Sequence, residues 1–422
     1  MEKITRLDEA QQKWVDIELR HLLSSSALAV GAGTPTDSGV AWTLPTEVAN
    51  PIRLAGGIPD PDTLPVKDLT MALEQVLLNT AVEALNYGGV KGFEGLCSSL
   101  ALRQSKIEKL PLTSANFIVN NGAAGGIDNI CDAFLDPGDV VIIEGPSFSG
   151  SVRTFKGHMA EVVQAPMDDD GLIVERVRDQ ILLAKKSGRK VKLLYTISDF
   201  HNPTGTNLAM DRRLELIELC SKHNLLIIED SAYSEIFFNN DYMPSLFSIA
   251  QGEGVLKVAT FSKIIATGLR TGWVQGRADF IEALTRVRYD MGNSPLIQRA
   301  LANIIDSGKL DLHVDQMRPI YAKKCETLVN SLISHCPQYL KFIKPDGGFF
   351  LWVECIGVNA NIVLREAAKL GLIFPGGAIF YLNGEQDNTS HLRLAFSTAS
   401  LSDLEESGLR LRSAFDRAIG EV

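Results

Sequence analysis

The chain has 422 residues, of which 45% are hydrophobic and 22% charged, and a formal net charge of −10. The length calls for two domains and the composition is that of an ordinary soluble globular protein. The negative balance, with no dense Lys/Arg run, argues against a nucleic-acid partner.

In chain order, Glu2, Asp8, Glu9, Asp16 and Glu18 make the N-terminus too acidic for a secretory signal or a transit peptide. The apolar stretch 22–30 is too short and too serine-rich to span a bilayer. One amphipathic helix is predicted over about 8–23, followed by an arm or loop, GAGTPTDSG (31–39). From about residue 115, short apolar runs alternate with helical patterns: FIVNN (117–121), VVIIEG (140–145), AEVVQAP (160–166), KLLYTIS (192–198), LLIIED (225–230) and VLKVATF (255–261). Such runs fit strands buried on both faces. The intervening GIDNICDAFLDPGD and DRRLELIELCSKHN read as helices, the second with Asp211 as its N-cap. This alternation predicts a mostly parallel sheet wrapped by helices. After about residue 306 the rhythm changes. A long helix (309–335), GGFFLWVE (347–354), a helix (360–370), HLRLAFS (391–397) and a last helix (401–418) read as a smaller α+β domain. The predicted division is an N-terminal helix and arm (1–55), a large domain (56–306) and a small C-terminal domain (307–422). Six scattered cysteines with no CxxC, and no His/Cys cluster spaced for a metal, suggest reduced thiols and a cytoplasmic location.

In open parallel sheets, ligands gather where strands end. NNGAAGG (120–126) follows one strand and opens a helix, so its amides suit a phosphate. EGPSF delivers Phe148, HNPTG delivers Asn202, and LLIIED ends in Asp230 with Tyr233 three residues on. TFSKIIATGLRTGW (260–273) then places Thr260, Ser262, Lys263 and Arg270 in a segment whose glycines spoil a helix. Singly, each has a structural explanation: a turn, a cap or a solvated surface charge. Together they offer a lysine amine for a Schiff base, a carboxylate for a pyridinium nitrogen and donors for a phenolate. They add an aromatic to stack on a ring and a phosphate cradle. Those are the demands of pyridoxal 5'-phosphate (PLP).

NPTG (202–205), D-x-A-Y (230–233) and TFSK…GLR (260–270) make the chain resemble the fold-type I PLP-dependent class I/II aminotransferase family, in the flavour of its 2-aminoadipate/kynurenine branch. The resemblance runs from LAGGIPD (54–60) to the C-terminus. It implies an α/β fold whose large domain holds a mostly parallel seven-stranded sheet. It further implies that Lys263 carries the cofactor and shuttles a proton, with Asp230 on the ring nitrogen and Asn202 and Tyr233 on the phenolate. Phe148 would stack on the ring. The amides of Gly122, Ala123 and Ala124, with Thr260, Ser262 and Arg270, would hold the phosphate. Tyr87 in NYGGVKG would reach the phosphate of a neighbouring subunit, implying a homodimer with shared sites. Arg393 would pair with the substrate α-carboxylate through a fork that lysine lacks, and Asn202 and Gly57 would line the substrate side.

Some residues depart from the family pattern. Ala123-Ala124 offers fewer side-chain donors than relatives have, Phe148 lacks a tyrosine hydroxyl, His201 precedes NPTG, and the stretch 32–51 is long and irregular. The expected activity is transfer of an α-amino group between an L-amino acid and a 2-oxo acid. The alternatives are PLP-dependent elimination, replacement or cyclisation, and, last, a non-catalytic PLP-binding sensor. Such sensors carry a basic DNA-binding module ahead of the PLP domain, where this chain has one helix and an acidic-leaning arm.

Overall fold

The structure, a computed structural model, describes residues 2–30, 46, 48–239 and 243–420. The GAGTPTDSG arm and most of the irregular stretch 32–51 therefore lie outside the described residues. The predicted helix over 8–23 is instead a helix Glu2–Asp16, a 3-10 turn Leu19–His21 and a short helix Ser25–Val30. The chain is extended at Glu18, and Ser24 Oγ accepts from the Ala27 amide, which restarts the helix at the serines. Trp14 and Val15 are exposed, so no packing holds one continuous helical register there.

A two-residue strand, Ile52–Arg53 (β1), precedes the main sheet. The sheet contains Phe117–Asn120 (β2), Val140–Gly145 (β3), Glu161–Asp168 (β4), Gly171–Leu172 (β5), Val191–Thr196 (β6), Leu226–Asp230 (β7), Val255–Thr260 (β8) and Gly272–Gln275 (β9). Its order is β2-β9-β8-β7-β6-β3-β4-β5. The seven expected strands are all present; β5 is an eighth, a two-residue edge strand antiparallel to β4. Within the seven, β9 alone runs against its neighbours β2 and β8. β2, β3 and β8 are buried at every residue, which is why they read as unbroken apolar runs. β9 escapes that reading because Gly272 and Gln275 dilute its pattern.

The helix expected at DRRLELIELCSKHN begins at Met210, with Ala209 as N-cap. Asp211 is the second helical residue and accepts only from the neighbouring Arg212 amide, so it is not the cap. The C-terminal part holds the antiparallel strands Leu340–Phe342 (β10) and Phe350–Cys355 (β11). Leu372–Ile373 (β12), which pairs with β1, and His391–Ala395 (β13), which pairs with β11, complete it. Helix Lys309–His335 ties the two parts together. Its Leu310, Val314, Met317 and Tyr321 pack in a core beside the main sheet, and its Cys325, Leu328 and Leu332 in the core around β11 and β13.

Candidate active site

The parallel strands β2, β3, β6, β7 and β8 all end on one edge of the main sheet. Because β9 is antiparallel to β8, with Thr260 opposite Gly272, the segment before β9 returns to that same edge. Lys263, just after β8, and Arg270, just before β9, thus meet there from opposite chain directions.

Two glycines make the approach possible. Gly122 opens helix Gly122–Phe134 at φ +69°, and a Cβ there would lie 3.2 Å from the Arg270 guanidinium. A Cβ on Gly272 would lie 2.6 Å from the Ala259 carbonyl oxygen and 3.0 Å from the Ala123 nitrogen. Any side chain there would force the helix start away from β9.

A cavity of about 160 Å³ at this edge is lined by Ala123, Ala124, Phe148, Asn202, Asp230 and Tyr233, and by Thr260, Ser262, Lys263 and Arg270. All ten were named from the sequence. Ile197 and Ala232, which also line it, were not. Gly57 and Arg393 touch the group from the C-terminal side: Lys263 Nζ donates to the Gly57 carbonyl at 2.5 Å, and Arg393 donates to Asn202 Oδ1 at 2.7 Å and the Ala55 carbonyl at 2.6 Å. The Arg393 guanidinium is fully buried, 4.3 Å from the Phe350 ring and 4.8 Å from Phe380. Tyr87 does not join the cavity; it is 86% exposed.

Thr260 Oγ1 donates to Ser262 Oγ at 2.9 Å and accepts from the Ser262 amide at 3.1 Å. These hydroxyls are therefore held beside the first turn of a helix whose amides favour an anion. Asp230 is buried, and burial pushes its carboxyl up to about 6. Hydrogen bonds from the Tyr195 hydroxyl (2.8 Å, to Oδ2) and the Ala232 amide (3.2 Å, to Oδ1) and the charge of Lys263 oppose that shift, whereas Glu144 adds to it. A buried carboxylate beside an anion-binding turn and a lysine amine fits a ring that carries both a phosphate and a protonated nitrogen. A larger cavity, about 350 Å³, shares Ala232 and Thr260 but is walled by paired charges such as Arg103 with Glu235 and Asp311. It offers none of that chemistry.

Tyr195, whose hydroxyl donates to Asp230, is a contact at this edge that no sequence motif marks. In KLLYTIS it stands as one more residue of an apolar strand, with nothing but its hydroxyl to set it apart. Tyr195→Phe should raise the proton affinity of Asp230, since that hydrogen bond is the largest effect holding it down. Carboxyl titration followed by infrared or isotope-edited NMR checks this, and a midpoint that stays put or falls would contradict it.

A family model described as aminotransferase class I and II matches residues 49–407. The aromatic-amino-acid aminotransferase 1 of Thermococcus litoralis is 30% identical over 353 residues, covering 83% of this chain and 85% of its own. The crystal structure of a multiple substrate aminotransferase from Thermococcus profundus matches at a TM-score of 0.88 and 28% identity, over 96% of this chain and 100% of that one. The kynurenine aminotransferase of Pyrococcus horikoshii, solved in complex with PMP, matches at a TM-score of 0.83 and 28% identity, over 96% of each chain.

Proposed function

The chain belongs to the aminotransferase class I and II family, and from that premise we propose that the cavity at the strand ends holds PLP and that Lys263 is the residue that attaches it. The enzyme is an aminotransferase, moving an α-amino group between an amino acid and a 2-oxo acid. The observation that carries the cofactor assignment is that Lys263, Asp230 and the Thr260–Ser262–Arg270 group, drawn from three strand ends, line one cavity. When bound, PLP supplies an electron sink for negative charge at the substrate Cα. Around it, Thr260, Ser262, Arg270 and the amides of Gly122, Ala123 and Ala124 would bind the phosphate. Asp230 would hold the proton on the ring nitrogen, Phe148 would cover the ring face, and Asn202 and Tyr233 would orient the ring oxygen. Lys263 Nζ would move the proton at Cα. The direct test is to supply PLP, an amino acid and a 2-oxo acid and identify the products. A new amino acid and a new 2-oxo acid in equal amounts support the reading; an eliminated, substituted or cyclised product replaces it.

Arg393 would fix the substrate α-carboxylate. Its guanidinium already spans Asn202 and Ala55 with separate nitrogens, a fork that a point charge does not reproduce. Arg393→Lys should raise KM for every amino-acid substrate by about tenfold or more, the loss of roughly one charge-assisted hydrogen bond. Wild-type KM in a folded variant would remove Arg393 from this role.

The proposal extends to a homodimer in a cytoplasmic setting, the latter in keeping with six buried cysteines, all free. Leu77, Leu78, Val82, Leu85, Tyr87 and Tyr289 are exposed. Arg288 donates to the Val90 carbonyl at 3.0 Å and so ties the Tyr289 segment to the NYGGVKG turn. An apolar surface of this kind suits a partner, and Tyr87 would then reach the neighbour's phosphate. Sedimentation should give a dimer. A fully active monomer would exclude the arrangement.

A further inference from the structure

Among the buried pairs that the proposed chemistry does not use, His201 and Glu144 adjoin two residues that line the cavity, Asn202 and Ile197. Both side chains are essentially inaccessible to solvent. Glu144, near the end of β3, accepts from Thr196 Oγ1 at 2.5 Å and from the Ile197 amide at 2.9 Å. His201 Nε2 lies 3.0 Å from Glu144 Oε2, at ion-pair distance but without hydrogen-bond alignment. On the other side of the ring, Nδ1 meets Thr204 Oγ1 at 2.9 Å and accepts from the Thr204 amide at 3.4 Å. A backbone N–H can only donate, so Nδ1 is the acceptor toward Thr204, and Nε2 is the ring nitrogen on the Glu144 side.

The imidazole therefore spans two elements. It leans on β3 through Glu144 and on its own turn through Thr204, and the same turn is closed by backbone bonds from His201 to the Thr206 carbonyl (2.9 Å) and from Gly205 to the His201 carbonyl (2.6 Å). The next residue in the chain is Asn202, whose Oδ1 accepts from Arg393. Asn202 is the side chain by which this turn lines the cavity, and it must be held to a fraction of an ångström to be effective.

We propose that His201 is a positioning residue: braced between Glu144 and Thr204, its imidazole fixes the Asn202 side chain where the cofactor and the Arg393 guanidinium both use it. The proposal rests on the PLP aminotransferase reading given above. Glu144 is also close enough to Asp230 to affect its proton affinity, so the pair acts on the cofactor from two directions.

The test compares wild type with His201→Gln, His201→Ala and Thr204→Val. Glutamine can still point an amide N–H at Glu144, alanine cannot, and valine removes only the hydroxyl beside Nδ1. Three readouts apply: the PLP dissociation constant of the cofactor-free protein, the pH midpoint of the visible absorption of the PLP-loaded protein, and KM against kcat for an amino acid. Alanine should weaken PLP binding and raise KM by about tenfold each, and should move the pH midpoint. Glutamine should recover most of the loss, and Thr204→Val should give a smaller change in the same direction. If the folded variants lose thermal stability while all three readouts stay at wild-type values, His201 is only a packing residue and the proposal is overturned. Should His201→Ala fail to fold, Thr204→Val and His201→Gln decide by the same readouts. A wild-type protein that gains no visible absorption with PLP would instead refute the cofactor reading itself.

Discussion

Replacing Lys263 with alanine should abolish amino transfer while leaving the protein folded and able to bind PLP through its phosphate contacts. The side chain is half-buried, donates to the Gly57 carbonyl and lies 5.6 Å from the centre of the Tyr233 ring. It supports no core of its own, so truncation removes little packing. What it removes is the only amine that lines the cavity among the described residues, and with it both the proposed attachment and the group that would move the proton at Cα. A positioned acid–base group contributes about 10²- to 10⁴-fold, and the attachment adds to that, so turnover should fall by more than about 10²-fold, toward 10⁴-fold or beyond. Borohydride reduction of the PLP-loaded wild type followed by peptide mapping gives an independent answer. A reduced adduct on any other lysine would mean that Lys263 does not carry the cofactor.

Asp230→Asn should cut turnover by about a hundred- to a thousandfold, the range for removing one preorganised electrostatic partner of the reacting system, with a much smaller effect on substrate binding. Its effect on the cofactor-free protein should have the opposite sign. The carboxyl rises from 3.8 to about 6 on folding because burial disfavours its charge. A carboxyl raised in this way contributes stability below about pH 4 that is lost as pH climbs through about 6. Two units correspond to about 3 kcal/mol. Above that window the folded protein carries an ionised Asp230 at a cost, and asparagine, whose Oδ1 can accept from the Ala232 amide while its Nδ2 donates to the Tyr195 hydroxyl, avoids it. The cofactor-free variant should therefore melt higher than wild type near neutral pH and no higher near pH 4. With PLP bound the advantage should shrink or reverse, because the ring nitrogen gives the carboxylate its partner. Equal melting temperatures across that pH range would show that Asp230 is not strained by burial, and near-normal turnover would show that another group holds the ring nitrogen.

The sequence by itself pointed to amino-group transfer. Lys263, Asp230, Asn202, Tyr233 and Arg270 could be picked out because each stands at a local break, where an apolar run ends in a glycine, a proline or a charge. Strands buried on both faces and helices with one apolar face also leave local periodicities, so the alternating order of elements was legible. What it could not supply was anything depending on which distant segments pair. The reversed direction of β9 brings Arg270 back to the edge where Lys263 lies, and Gly272 there admits the start of the helix that opens at Gly122, about 150 residues away, a close approach with no periodic trace. Tyr195 donates to Asp230 from 35 residues away, and Arg393 reaches Asn202 across 191. Such contacts are selected by the summed packing of two cores and by the need to give buried polar groups partners. Only the tertiary structure decided them, because a residue's own neighbours in sequence carry no record of the partner that burial will oblige it to find.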